Sequence, residues 1–487
     1  MLTPTANGDT RLLLWLRVRK FAVPPSMIET ATARRRVGDW AGACAAAGID
    51  VDLDLRSLAR THGRALAGEV RSDLRHLAPD LLRWQLPRIA PDGLLRPGLT
   101  VALARYGSGT GGGGDGLRAD TATDTGTGPV YLVVRTPPAW ADGGQRFGLE
   151  LWDGRRLRAD ARHHPRPRPS PRFRLDLHRH LWDARRSGEL RSRSGADRPA
   201  GANDRALPPD APELLPPGHR CAVDRWRDEA ALVLRDAGRT TGTVVARIGS
   251  GHRLLLHLAG GGDDAPGPPA LRISSAPADG SASTLPLLPY AATHVLPDLE
   301  LLRTGALDPG QLHPLVASAL APGSVPEPMP GPGPAGSRRA PDPADEPRLV
   351  ECRGERHRIG PVDGVLAALD HDPAEIGREE LLAALTGTPL PCLQAIDRAH
   401  RRPDCLTGVR ERLDHGDITG ALAVVEGLLG PGARLRDGPL RDELEAAAER
   451  RIAYGLYRAG LGEPAPGRLP PGSRRPHDHR PRPRLAM

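Results

Sequence analysis

The residues best placed for chemistry are Asp370-His371-Asp372, with Cys392, His400 and Cys405 close behind in the chain. A Cys–His pair supplies an activated thiolate when the imidazole takes the thiol proton. The same residues have an ordinary use. Asp372-Pro373 reads as a turn and helix start, and Cys392 stands with Leu393 and Ile396 in a helical stretch where a free cysteine fills core space. A second candidate is the row Asp50, Asp52 and Asp54, which alternates with Val51, Leu53 and Leu55. Three carboxylates on one side of an extended segment suit a hard divalent cation. The row fails as an EF-hand loop, because Leu55 stands where glycine is needed and Thr61 where glutamate is needed. It is expected to be a solvated strand face or a helix lead-in.

Histidines form a third group, His163, His164, His178 and His180, inside an Arg- and Pro-rich stretch. No His-Glu-x-x-His occurs, so these are expected to be incidental histidines of a loose segment. Gly107-Ser108-Gly109-Thr110-Gly111-Gly112 satisfies Gly-x-Gly-x-x-Gly after a strand-like run, yet Gly113-Gly114-Asp115-Gly116 follows where the fingerprint requires a helix. No lysine follows a glycine-rich run, and no Gly-x-Ser-x-Gly is present. The motifs therefore assign no catalytic residue, no cofactor, no metal and no nucleotide.

Composition narrows the chemistry further. Sixty-six arginines stand against one lysine, Lys20, which removes nearly every mechanism built on an ammonium group. Few Phe, Tyr and Asn beside abundant Ala, Gly, Pro and Arg read as a high-GC genome. The formal charge of +8 is local. Residues 160–198 hold eleven Arg against four Asp and one Glu, a net of +6, and residues 463–487 hold six Arg against two acids, a net of +4, so the remainder sums to −2. Loose basic segments attract nucleic acid without sequence preference. The cysteines, at 44, 221, 352, 392 and 405, form no Cys-x-x-Cys pair, and their odd, sparse count suits reduced thiols in the cytoplasm. No apolar run reaches the length of a membrane span.

The elements that must position these residues divide the chain into an α+β multidomain protein with helical N- and C-terminal units, a β-rich middle and long disordered linkers. Residues 11–106 read as mostly helical, with Ser26 capping a helix over 27–37 and Gly38-Asp39 separating it from the next. A Gly-rich linker or loop covers 107–128, and 99–106 has the pattern to pair across it with 130–135. Residues 129–190 form a small β-containing segment carrying the basic Arg/Pro/His run, followed by a linker over 191–218. The unit at 219–320 shows apolar runs at 231–234, 243–248, 253–258 and 271–274, a β-meander packed by a helix at 314–320. A Pro/Gly linker spans 321–346, and 347–462 reads as a hairpin at 349–359 followed by helices at 379–385, 392–400, 409–415, 419–429 and 440–457. A basic tail closes the chain at 463–487. Residues 38–45 and 416–423 match at five of eight positions, an echo of a Gly-Asp turn between two helices.

The stretches 285–302 and 369–397 resemble parts of proteins from high-GC bacteria that have no assigned activity. That resemblance spans the last half of the chain and implies no catalytic residues. The expected function is a non-enzymatic cytoplasmic interaction or adaptor protein with protein partners. Nucleic-acid binding through 160–198 and 463–487 is the alternative, and an enzyme of unrecognised type is the third reading.

Overall fold

The computed structural model describes residues 4–107, 129–153, 164–197, 214–216, 218–249, 251–259, 270–277, 279, 281–323, 348–362, 365–387, 389–401, 405–430, 432 and 434–461. The linkers expected at 107–128 and 321–346 lie almost wholly outside these residues, as do most of 191–218 and the tail at 463–487. Within them the chain is α+β, with helical N- and C-terminal units and a β-rich middle.

The N-terminal elements are α1 (Pro4–Arg17), a π-helical turn (Val18–Ala22), α2 (Pro25–Arg36), α3 (Trp40–Ala46), β1 (Ile49–Asp52), α4 (Leu55–His62), α5 (Arg64–His76) and α6 (Pro79–Gln85). A short β2–β3 hairpin (Arg88–Ile89, Leu94–Leu95) leads to β4 (Thr100–Tyr106), β5 (Val130–Arg135) and β6 (Phe147–Asp153). Pro24, not Ser26, stands at the N-cap of α2, and Pro25 starts the helix with its fixed φ.

One sheet runs in the order β1-β6-β5-β4, with β1 parallel to β6 and the other pairs antiparallel. It therefore joins residues on both sides of the 107–128 linker. An extra residue, Leu103, bulges β4 between Ala102 and Ala104. The bulge reverses the alternation, so Val101 before it and Ala104 and Tyr106 after it all enter the main core, while Ala102 joins Tyr131, Val133 and Trp152 on the opposite face.

The middle contains α7 (Leu190–Ser194), α8 (Trp226–Asp236), β7 (Gly242–Ile248), β8 (His252–Ala259), β9 (Ala270–Ser275), α9 (Tyr290–Thr293), α10 (Pro297–Arg303) and α11 (Pro314–Leu320). The β7-β8-β9 meander is antiparallel and packs on α8. The apolar run at 231–234 belongs to α8 and is not a strand. Trp226, Ala230, Val233 and Leu234 fall on one helical face, and four adjacent apolar residues could not reveal that period. Nor does α11 pack on the meander: Val316, Ala317 and Ala319 join the N-terminal core, as does Leu301 of α10.

The last unit is a three-stranded antiparallel sheet, β10 (Arg348–Cys352), β11 (Glu355–Val362) and β12 (Val365–Ala368), followed by α12 (Pro373–Thr386), α13 (Pro391–Arg401), α14 (Leu406–Asp414), α15 (Ile418–Leu429) and α16 (Pro439–Arg458). The third strand escaped sequence reading because Val365-Leu366-Ala367-Ala368 is short and half alanine.

Candidate functional site

The basic stretch changes character in three dimensions. Over 164–197 it is packed, and four of its arginines, Arg174, Arg179, Arg185 and Arg193, reach carboxylates far away in sequence. Arg174 Nη1 donates to Asp236 at 2.7 Å, Arg179 and Arg185 both reach Asp73 and Asp183, and Arg193 donates to Glu229 at 3.0 Å. The expectation of a loose segment over 160–198 is corrected for these residues. Part of the stretch expected as linker is likewise α7, whose Leu190 is buried in the main core.

The histidines are structural. His164 Nε2 donates to the Thr136 carbonyl (3.0 Å) while its Nδ1 accepts from the Arg166 amide (3.1 Å), which requires the neutral ring. Burial pushes His164 down to about 4. His178 Nε2 lies 2.9 Å from Glu229 Oε2, both buried. Burial favours the neutral Glu229 carboxyl, but His178, Arg193 and Arg225 outweigh it and hold the group far below the usual carboxylate range. His163 lies outside the described residues. Glu229, the centre of this cluster, carried no sequence signal because its partners are at 178, 193 and 225.

The aspartate row is a docking surface for α16. Asp50 accepts two bonds from Arg146 (3.0 and 2.6 Å) and one from the Tyr454 hydroxyl (2.7 Å). Arg458 pairs with Asp52 and approaches Asp50 at 3.3 Å, and Asp54 caps α4 by accepting from the Arg56 amide at 2.9 Å. Each carboxylate is engaged by a protein donor, so the row serves the joint between the N- and C-terminal units. A polar cleft of about 220 Å³ lies in this joint, lined by Asp52, Arg135, Glu150, His164, Tyr457 and Arg458. Its charges are paired among themselves, Arg135 with Glu150 at 3.0 Å and Arg458 with Asp52.

The joint extends to the echoed turn. Arg83 is buried and donates to four main-chain carbonyls: Ala22 (2.8 Å), Ala47 (3.3 Å), Gln145 (2.7 Å) and His415 (3.0 Å). The His415 ring stacks on Phe21 at 6.0 Å, and burial, with Arg88 and Arg83 nearby, pushes it down to about 3. Gly416 then touches the Gly144 backbone so closely that a Cβ there would lie 2.0 Å from the Gly144 oxygen. The two copies of the echo share one geometry. Asp39 accepts from the Gly42 amide (2.8 Å) and Arg34 (2.7 Å), while Asp417 accepts from the Gly420 amide (3.0 Å) and Arg412 (2.6 Å). The arginine five residues before each aspartate was a legible signal that the eight-residue match omitted.

Of the sequence grouping Asp370-His371-Asp372 with Cys392, His400 and Cys405, the structure brings His371 and Cys392 together and adds Cys352, which the grouping lacked; the His400 side chain lies outside the described residues. Cys352 Sγ, Cys392 Sγ and a ring nitrogen of His371 all lie within 4.8 Å of one another. The β10–β11 turn, Arg353 at φ 56° and Gly354 at φ 83°, is a two-residue hairpin connection with both residues left-handed. Arg353 reaches Glu375 (3.0 Å) and Glu379, which presses the Cys352 end of β10 against α12. Asp370 accepts from the Arg358 amide (2.7 Å) and guanidinium, Asp372 accepts from the Ala374 amide (2.8 Å), and His371 is fixed between these two anchors. Its ring stacks on His357 at 4.3 Å. Cys392 enters from the first turn of α13. Both thiols are fully buried, and burial together with contact with Cys352 pushes Cys392 up to about 11. That suits neither an exposed nucleophile nor a rapid redox thiol. Cys405 packs half-buried against the same core, and none of the five cysteines forms a disulfide with another described residue.

The glycine-rich candidate begins at Gly107, the end of β4, and its other residues lie outside the described ones. The next described strand, β5, is the antiparallel neighbour of β4, whereas a dinucleotide fingerprint feeds a crossover to a parallel strand. Lys20 is exposed beside the Phe21 ring at 5.1 Å. No described helix is long and apolar enough to cross a membrane. The fold and site thus define an α+β multidomain chain with a buried Cys–His–Cys cluster in its last unit. Comparison with family models, curated proteins and solved structures returns no match.

Proposed function

We propose that this chain is a non-enzymatic cytoplasmic protein-interaction protein that holds its partner on the C-terminal unit. The observation that carries this reading is the outer face of α12. Leu381, Leu382 and Leu385 are 70%, 54% and 87% exposed, and their spacing places them together on one side of the helix. A contiguous apolar face exposed on a helix end is the common substrate of helix-mediated docking. Ile452, Leu456 and Leu461, near and beyond the end of α16, add exposed apolar area in the same unit. The full burial of Cys352 and Cys392 favours interaction over catalysis by an exposed nucleophile, and five cysteines without a disulfide fit a reducing compartment. The carboxylate-paired arginines of 164–197 favour a role in the fold over phosphate contact.

The test is quantitative affinity capture from the native cell, comparing the wild-type chain with a Leu382→Asp/Leu385→Asp variant of equal thermal stability. Loss of an interface centre worth about 2 kcal/mol weakens association about 30-fold. A partner set identical for both proteins removes the reading.

A further inference from the structure

We propose that Cys352, His371 and Cys392 form a zinc site that staples the β-sheet of the last unit to α12 and α13. The three donors come from three separate elements, the end of β10, the turn between β12 and α12, and the first turn of α13. Two thiols and an imidazole are the donor set zinc selects, and three protein ligands leave its fourth position to water.

The His371 ring supplies a second, independent observation. Its side chain is only 4% exposed, and its Nε2 has no hydrogen-bond partner among the described residues. A buried ring nitrogen left unsatisfied costs about 1–3 kcal/mol unless something accepts or donates there. A metal ion beside the two sulfurs is such a partner. The other nitrogen, Nδ1, lies 3.7 Å from Glu375 Oε2, longer than a hydrogen bond, so a small shift of either side chain would make the carboxylate contact found behind zinc-bound histidines. Glu375 is in turn held by Arg353 at 3.0 Å, and Arg353 follows Cys352 directly. One donor and the carboxylate that aims another are therefore tied through a single turn.

Distances fit a site open by a small amount. Zinc–sulfur bonds of about 2.3 Å and zinc–nitrogen bonds of about 2.0 Å set ligand separations of about 3.5–3.8 Å in a tetrahedron. The donors, within 4.8 Å of one another, need to close by no more than about 1.3 Å. Binding releases the two thiol protons to solvent as each sulfur donates an electron pair to the ion, with no change in oxidation state. The unit gains from such a staple, since α12 contributes no residue to its fully buried core.

The experiment uses the full chain, purified without chelator, with metal content measured by mass spectrometry. One zinc per chain is expected, and Cys392→Ser and His371→Asn lose it while Cys44→Ser keeps it. Cobalt added to the demetallated wild type produces the intense visible and near-ultraviolet absorption of thiolate coordination. Glu375→Gln lowers zinc affinity about 10-fold and retains the spectrum. Should the cysteine variant fold poorly, the wild type decides: chelation exposes Cys352 and Cys392 together to alkylation, and added zinc protects both. Zinc retained by Cys392→Ser, no cobalt spectrum in the wild type, or a Cys352–Cys392 disulfide without metal overturns the proposal.

Discussion

Gly416 and Gly38 occupy the same place in the two copies of the helix–Gly–Asp–helix turn, at φ 83° and φ 80°. They differ in what faces them. A Cβ on Gly38 meets nothing within 4 Å, whereas one on Gly416 lies 2.0 Å from the Gly144 oxygen and 3.0 Å from its carbonyl carbon. Alanine at either position bears the left-handed backbone cost of about 1 kcal/mol. At Gly416 the clash adds a second cost. A carbon–oxygen contact needs about 3.3 Å, so the two backbones must part by about 1.3 Å. Gly144 is itself left-handed at φ 75° and offers no side chain to rotate away. The neighbouring bond from Arg83 to the His415 carbonyl, 3.0 Å, breaks on such a separation. A hydrogen bond from a charged group is worth about 1.5–3 kcal/mol.

Gly416→Ala is therefore expected to cost about 3 kcal/mol and Gly38→Ala about 1 kcal/mol. The difference of about 2 kcal/mol measures the joint. Urea titration of the full chain gives the stability change, and hydrogen exchange of residues 139–153 and 439–461 gives its location. Faster exchange in both segments for Gly416→Ala alone is the expected pattern. Equal effects of the two substitutions, or unchanged exchange at the joint, refute the contact as an energetic link.

Three further outcomes follow from the buried groups. His164 has a folded-state value of about 4 against 6.5 in the unfolded chain, so its contribution is complete above pH 6.5 and fades as pH falls towards 4, at about 1.4 kcal/mol per pH unit. His164→Gln should flatten the loss of urea stability between pH 7 and 5 by about 2 kcal/mol, and an unchanged slope contradicts the neutral-ring assignment. Arg83→Met leaves four carbonyls without their donor and should cost about 3 kcal/mol or more by chemical denaturation, since each buried acceptor left unsatisfied costs about 1–3 kcal/mol. Tyr454→Phe removes one of the bonds to the Asp50 carboxylate and should cost about 1.5–3 kcal/mol while leaving the three-stranded sheet intact, as read by thermal melting and circular dichroism. A loss of the sheet signal means that α16 holds more than the joint.

Local signals made part of this fold legible. The hairpin was legible at 349–359 from two apolar runs flanking Gly354-Glu355, one residue from the observed Arg353-Gly354 turn; three of the four runs read as a meander are strands; and the helical ends follow from caps such as Asp39, Asp372 and Asp417. What escaped depends on closure over long sequence distances. The arginines of 164–197 looked loose because Asp73, Glu229 and Asp236 are 36 to 112 residues away. Cys352 stands 40 residues from Cys392 with His371 between, a spacing that matches no metal motif. The left-handed turn at 353–354, the Asp370–Arg358 anchor and the packing of α13 on the sheet bring the three together. The Asp50 row was seen as three carboxylates, but its partners on α16 lie some four hundred residues downstream.

The arginine excess acquires a physical role beyond codon bias. An ammonium group has three donors at one point, whereas a guanidinium has five in a planar fork and is more weakly hydrated. Arg83 uses that fork to bind carbonyls from both sides of the joint, and Arg174, Arg179 and Arg185 use it to bridge two carboxylates each. Such sites hold elements together without aromatic bulk, in a chain that has only three Phe and five Tyr. Lysine could not take these positions without leaving acceptors unpaired, and the one lysine is exposed on the surface. Three acids drawn from other elements, Asp73, Glu229 and Asp236, thus neutralise part of the positive charge of residues 164–197, and the composition suggested an anion-binding segment where the fold built a braced core.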